Sequence, residues 1–278
     1  MDYQWYPGHM TKARRMMEDN IKLIDLIIEI IDARIPYSSR NPDIDTLAKN
    51  KSRIILLNKS DLADEACNQQ WIDYYKNKGF YCLKINAKNG LGVKQVPQLI
   101  NEACKDKIER NKAKGILNRP VRAMIVGIPN VGKSTFINAF AGKACTKTGN
   151  KPGVTKGQKW LKTSANIQVL DTPGILWPKF SDQEVGYKLA AFGAIKDSVF
   201  HADDVALYVL KNLREYYAKD LVKFSKLNEV DIANMADPDL LLAMTEKYGM
   251  RDDYDRFSLF MLQRLRKCAI GRITLDRP

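Results

Sequence analysis

Gly127-Ile-Pro-Asn-Val-Gly-Lys-Ser134 decides how this chain is read. The apolar run Val121-Arg-Ala-Met-Ile-Val126 leads into it, and Thr135-Phe-Ile-Asn-Ala-Phe140 follows as an expected helix. Strand, glycine loop, helix is the context in which this eight-residue pattern cradles phosphate. Glycine lets the backbone bend closely around an anion and turn N–H groups inward, and the helix start adds its positive end. In that frame Asn130, Val131, Gly132, Ser134 and Thr135 line the cradle, Lys133 reaches the β and γ phosphates, and the Ser134 hydroxyl supplies an oxygen to Mg²⁺. The blander reading is a glycine turn with a solvated lysine.

Working upstream, Leu26–Asp32, Arg53–Leu57 and Phe80–Ile85 are short, β-branched runs that read as strands. Lys12–Ile24 (capped by Thr11), Glu65–Lys78 and Val93–Asn111 read as helices, and Lys112–Pro120 as a basic connector. Such alternation predicts an α/β fold with a mostly parallel sheet covered on both faces, its ligand loops beyond the carboxyl ends of the strands. Asn58-Lys59-Ser60-Asp61 and Asn86-Ala87-Lys88 occupy that position, as does the glycine loop. Asn-Lys-x-Asp suits guanine. The Asp61 carboxylate accepts from N1–H and the 2-amino group, which adenine cannot offer. Asn58 braces loop and base, and the aliphatic stem of Lys59 lies over the ring. Ala87-Lys88 backs the base with a main-chain N–H. Alone, the tetrapeptide is no more than a polar turn; beside a phosphate loop it reads as a guanine site.

Downstream, residues 143–162 hold Lys143, Lys147, Lys151, Lys156, Lys159 and Lys162 and no acid. Glycine and proline within Gly149–Thr155 argue against a regular element. A mobile switch is expected, with Thr155 completing the Mg²⁺ shell when a γ-phosphate is present; an ordinary solvated loop is the alternative. The strand Ile167–Leu170 then delivers Asp171-Thr-Pro-Gly174. Asp171 is expected to hold the Mg²⁺ shell through water and the Gly174 N–H to sense the γ-phosphate, so both switches are released on hydrolysis.

From Asp182 the alternation stops. Gln183–Val199, Asp203–Tyr217, Lys219–Leu227, Pro238–Tyr248 and Tyr254–Ile270 read as helices of a small bundle, with Tyr216-Tyr217 packed in its core. Residues 1–181 are therefore expected to form the nucleotide domain with an amino-terminal extension, and 182–278 a helical domain. In the last helix Arg256, Arg264, Arg266, Lys267 and Arg272 gather around Phe257, Phe260, Leu262 and Leu265. With 45 Lys and Arg against 32 Asp and Glu, the net charge of +13 favours a polyanionic partner, and nucleic acid over a membrane surface. Five scattered cysteines and two histidines point to reduced thiols rather than zinc or disulfides. Neither a targeting leader nor a membrane span is visible, so a cytoplasmic protein, monomeric when free, is expected.

The motifs are those of a Ras-like GTPase in a different order: the guanine loops come first, the phosphate loop and switches afterwards. The strand that ordinarily follows the second switch is already present as Leu26–Asp32. The chain leaving Gly174 therefore runs directly into the helical domain, a covalent route from nucleotide state to that domain. With Trp5-Tyr-Pro-Gly-His-Met10, Asp32-Ala-Arg-Ile-Pro36, Pro152-Gly-Val-Thr155 and the loops above, the chain resembles the circularly permuted GTPases of the YlqF/YawG group. The resemblance spans essentially the whole chain. It implies GTP hydrolysis in late assembly of the large ribosomal subunit, with rRNA bound by the helical domain and the GTPase face.

Ile175 stands where Ras-like proteins keep a water-orienting glutamine, so slow intrinsic hydrolysis is expected. The resemblance assigns that task to His9, with ribosome binding bringing it toward the γ-phosphate, and makes Asn130 a ligand for K⁺. Two alternatives stay open. A GTP-using metabolic enzyme would need a second pocket with its own acid, base or nucleophile, which no cluster in the sequence suggests. An RNA-binding GTPase switch acting on tRNA or a small-subunit precursor shares the same composition.

Overall fold

A computed structural model describes residues 8–142, 159–163, 166–178, 180 and 182–278, with only the backbone of Gly8, His9 and Lys159. Contacts divide the chain into one unit of Tyr6–Lys179 with Asp276–Pro278, and a second of Phe180–Leu275. The last three residues thus belong to the first unit, not to the helical one. The reason is local: the Asp276 carboxylate accepts from the Ser38 N–H (2.7 Å) and hydroxyl (2.9 Å), and its carbonyl from Trp71 Nε1 (3.3 Å).

The first unit holds a six-stranded sheet. Its strands are β1 (Leu26–Asp32), β2 (Ser52–Asn58), β3 (Tyr81–Lys84), β4 (Val121–Val126), β5 (Lys159–Lys162) and β6 (Ile167–Asp171), in the order β3-β2-β1-β4-β6-β5. All neighbours are parallel except β5, which runs antiparallel to β6 with Lys159 opposite Asp171. Every residue of β1 is buried, Glu29 included, because its carboxylate meets Arg53 (2.8 Å) and Arg40 (3.2 Å). Strand β5 was not expected in the lysine-rich stretch. Leu161 is 7% exposed and lies opposite Val169, so one buried leucine and the free edge of β6 suffice to pair this short edge strand.

Helices α1 (Gly8–Asn20), α2 (Asp43–Leu47), α3 (Glu65–Asn77), α4 (Val96–Ala103), α5 (Lys105–Ala113) and α6 (Lys133–Ala141) complete the unit. Thr11 is inside α1 rather than its cap: Met10, Ala13 and Met17 form one buried face, so packing extends the helix a turn upstream. The helix expected over Val93–Asn111 is a 3₁₀ turn, Val93–Gln95, followed by two helices broken at Cys104 (φ −109°, ψ 10°). The break lets Val96, Ile100 and Cys104 bury while α5 stays outside the core. Asp64 caps α3 by accepting from the Ala66 and Cys67 N–H groups, and Trp71 and Tyr75 of α3 pack on Ile31, Ile55 and Leu57. Cys67, Cys82, Cys104 and Cys268 form no disulfide among the described residues, and burial pushes Cys82 up to about 12 and Cys104 to about 11; Cys145 lies outside the described residues.

The second unit is helical: α7 (Gln183–Ala191), α8 (Ala202–Tyr216), α9 (Ala218–Ser225), α10 (Glu229–Asn234), α11 (Asp237–Lys247) and α12 (Tyr254–Arg266). Helix α7 stops eight residues before the expected end. Gly193 (φ +76°) closes it with the paired bonds Gly193 N–H to Ala190 O and Ala194 N–H to Leu189 O. Tyr217 is buried and its hydroxyl exchanges hydrogen bonds with the Thr274 backbone, whereas Tyr216 is exposed. Among the described residues no helix is long and apolar enough to cross a membrane.

Candidate functional site

The three sequence-predicted loops that follow β2, β3 and β4 come together through Asn58. Its side-chain amide donates to the Val131 carbonyl of the glycine loop (2.7 Å), and its Oδ1 accepts the Ala87 N–H (2.9 Å). The Lys88 N–H in turn donates to Asn86 Oδ1 (2.9 Å). The main-chain N–H groups expected to meet the base thus lie on protein oxygens in this structure, that of Ala87 on Asn58 and that of Lys88 on Asn86. The Asp61 carboxylate, by contrast, is exposed in the first turn after β2, where a base edge can reach it.

Close approach dictates the glycines. Gly132 has φ +100°, and a Cβ there would meet Asn58 Nδ2 at 2.3 Å. A Cβ on Gly174 would lie 2.8 Å from the Pro129 backbone and 2.9 Å from Lys133 Nζ. Gly174 thus sits directly on the Gly127–Ser134 loop, three residues beyond the end of β6. Thr172 fixes that position by donating to the Ile125 carbonyl of β4 (2.6 Å).

Lys133 is 6% exposed at the start of α6, and its ammonium donates to the carbonyls of Gly127 (3.1 Å) and Ile128 (2.8 Å). Burial lowers its pKa; the neighbouring Asp171 opposes this and Lys59 adds to it. Burial raises the Asp171 pKa against the pull of Lys133. Asp171 Oδ1 is buried with no hydrogen-bond partner among the described residues. An uncompensated buried carboxylate oxygen is costly, and Mg²⁺ with its water shell is a partner that would satisfy it. Ser134 and Thr135 stand in the first turn of α6, on the same loop end as Lys133. Asn130 adopts the left-handed conformation (φ +59°), which turns its carbonyl toward the Lys59 ammonium (2.8 Å).

Ile175 and Leu176 are each 2% exposed, so the segment after Gly174 is anchored by packing and offers no polar side chain to water. His9 lies in the first turn of α1, and its side chain is outside the described residues, as is Thr155 with the rest of Gly149–Thr155. Sequence reasoning used Asp32 and Arg34 only in the Asp32–Pro36 run that carries the resemblance and gave them no role at the site; the structure pairs them beside Lys59.

In the second unit Arg256, Arg264, Lys267 and Arg272 are exposed, and Arg264 lies over the Phe260 ring at 5.4 Å. Arg266 does not join them. It donates to the Ala190 and Ala191 carbonyls at the end of α7 and pairs with Asp197, a structural role. Phe257, Leu262 and Leu265 are core residues.

Residues 122–245 match the family model described as 50S ribosome-binding GTPase. Ribosome biogenesis GTPase A of Priestia megaterium is 49% identical over all of this chain and 98% of its own length. Among solved structures, a GDP-bound YlqF (TM-score 0.66, 22% identity, 95% of this chain and 99% of that one) shares the fold. So does GNP-bound YlqF from Thermotoga maritima (TM-score 0.65, 22% identity, 96% and 98%). With a relative near half identity from end to end, and the phosphate and guanine loops joined through Asn58, the chain belongs to the ribosome biogenesis GTPase A family.

Proposed function

We propose that this chain is a GTPase acting as an assembly factor for the large ribosomal subunit, with a circularly permuted nucleotide core. The observation that carries the reading is Asn58, whose one amide ties the guanine loop to the phosphate loop and to residues 86–88. GTP binds with its phosphates in the Gly127–Ser134 cradle against Lys133 and its base at Asp61. The relatives' names supply the ribosomal role.

Mg²⁺ would be held by Ser134, Thr155 and, through water, Asp171, whose unpaired Oδ1 supports the assignment; when bound it would neutralise charge on the phosphates. K⁺ at Asn130 would add to this. Lys133 steadies the charge that builds on the transferred phosphoryl oxygens. With Ile175 in the glutamine position, water is oriented by His9 once the ribosome is engaged. The exposed Arg256 and Arg264 of α12, Lys267 and Arg272 beyond it, and the lysines of 143–162 contact rRNA phosphates, and hydrolysis releases the factor.

GTP turnover in K⁺ buffer, alone and with large subunits, small subunits or bulk tRNA, tests the reading. Stimulation by large subunits alone, lost in His9→Ala, is the expected outcome. Stimulation that survives His9→Ala moves catalysis to another group, and none by large subunits overturns the ribosomal role.

A further inference from the structure

We propose that Asp32 is a positioning residue for guanine-nucleotide binding: with Arg34 it fixes the Lys59 ammonium against the Asn130 carbonyl and so sets the guanine loop against the phosphate loop. The proposal rests on the nucleotide reading above.

Asp32 ends β1, a strand that carries neither the phosphate nor the guanine motif, yet its carboxylate is 2% exposed and fully engaged. Oδ1 accepts from the Arg34 backbone N–H (3.1 Å) and Nε (2.8 Å). Oδ2 accepts from Arg34 Nη2 (2.7 Å) and Lys59 Nζ (2.9 Å). Four donors fill the four acceptor positions a carboxylate has. The two Arg34 side-chain bonds form the bidentate fork that orients a carboxylate in its plane. Asp32's own N–H is tied to Ser39 Oγ at 2.9 Å. Neither the carboxylate nor the arginine is free to turn, so the direction of the bond to Lys59 is set by the scaffold.

The second bond of that ammonium goes to the Asn130 carbonyl at 2.8 Å. Lys59 therefore bridges β1 and the glycine loop while belonging to the guanine loop. Both residues at its ends are left-handed, Lys59 at φ +61° and Asn130 at φ +59°, conformations that cost energy outside glycine. A lysine side chain also loses rotamer freedom when held. Paying this before the ligand arrives leaves the aliphatic stem already extended where the base is expected to stack, which is preorganisation. A purely structural ion cluster would not need its lysine to reach across to the loop that holds phosphate.

A double-mutant cycle on labelled-GDP affinity separates the two roles. Wild type, Asp32→Asn, Lys59→Met and the double variant are titrated, with unfolding temperatures measured in parallel. Asp32→Asn is expected to raise the GDP Kd about tenfold or more, in line with a broken buried ion pair. In the Lys59→Met background the same change should shift Kd less than about twofold, because the ammonium it acts through is gone. Asp32→Glu keeps both charges and displaces the carboxylate by one methylene. It should weaken GDP binding while leaving the unfolding temperature near wild type, and it serves where Asp32→Asn does not fold. An equal fold loss in both backgrounds, or unchanged affinity in Asp32→Glu, overturns the positioning role. Failure of the wild type to bind GDP, or equal binding of ADP, would instead overturn the nucleotide reading.

Discussion

At the scale of single residues the site is governed by close approach and by buried charge. Gly132→Ala would place a methyl group 2.3 Å from Asn58 Nδ2 at a φ of +100°, which an L side chain rarely adopts. Either Asn58 leaves the Val131 carbonyl or the loop opens; both dismantle the joint between phosphate and guanine loops. We expect labelled-GDP affinity to fall by at least about tenfold, with far-ultraviolet circular dichroism unchanged, since strain of roughly 1–2 kcal/mol at one left-handed residue is local. Asp32 makes a different prediction. Burial alone would raise its carboxyl pKa, but the charges and hydrogen bonds of Arg34 and Lys59 hold it well below the usual carboxylate range. A carboxylate whose folded pKa lies below its unfolded value of about 3.9 contributes stability that is fully present above that value. The contribution is lost as pH falls toward the folded pKa, because the unfolded chain binds the proton first. Urea unfolding followed from pH 6 down to pH 3 should show a steep acid decline in the wild type. Asp32→Asn should show a shallower one, and parallel curves would remove Asp32 from the account.

At the scale of elements, two polar clasps hold ends that hydrophobic burial leaves loose. Asp276→Ala strips the partner from a buried Ser38 N–H and hydroxyl, and an unsatisfied buried donor costs about 1–3 kcal/mol. The urea midpoint should drop accordingly with an unchanged m-value. Arg266→Met keeps the stem of the side chain but removes the donors to the Ala190 and Ala191 carbonyls at the end of α7. A loss of about 1.5–3 kcal/mol, the range for hydrogen bonds from a charged group, is expected in the same assay. Neither clasp is periodic, so neither was legible in the chain. What was legible follows one-dimensional rules: the β-branched runs of β1, β2 and β4, the glycine loop between β4 and α6, and the motif loops at strand ends. The stop of α7 was missed, the helix being expected to run to Val199, yet its signal was written there, because Gly193 is the residue a left-handed helix end prefers. The stop of α12 had no such signal. It uses the same paired bonds, Cys268 N–H to Leu265 O and Ala269 N–H to Arg264 O, but with a cysteine at φ +58°. No local preference for that conformation announces it. Arg266 was misread for a related reason: an arginine on a helix reads as solvated until its partners on another helix are known.

At the scale of the whole molecule, the charge and the motif order each carry a consequence. A net charge of +13, with Arg256, Arg264, Lys267 and Arg272 exposed, predicts binding dominated by phosphate contacts. The logarithm of the affinity for large subunits should then fall linearly with the logarithm of salt concentration. Pelleting assays across a salt series would read the slope, and an affinity indifferent to salt would contradict the electrostatic account. The motif order has the further-reaching consequence. Gly174 lies against Pro129 and Lys133, so a γ-phosphate arriving in the cradle must be accommodated where the head of the second switch already sits. Ile175 and Leu176 are buried, so the segment leaving Gly174 cannot absorb a displacement by flexing in solvent. Six residues beyond Trp177 the chain is already in α7. In the ordinary motif order a returning strand would stand between the switch and any following domain; here the strand in that place is β1, reached from the other end of the chain. A shift of Gly174 therefore has a short covalent path into the helical unit. Amide exchange over residues 200–270 should differ between the GDP-bound protein and the protein bound to a non-hydrolysable GTP analogue, with the largest change in the elements next to α7. Identical protection in the two states would mean that the permuted order carries no signal, and that rRNA release must act through the first switch alone.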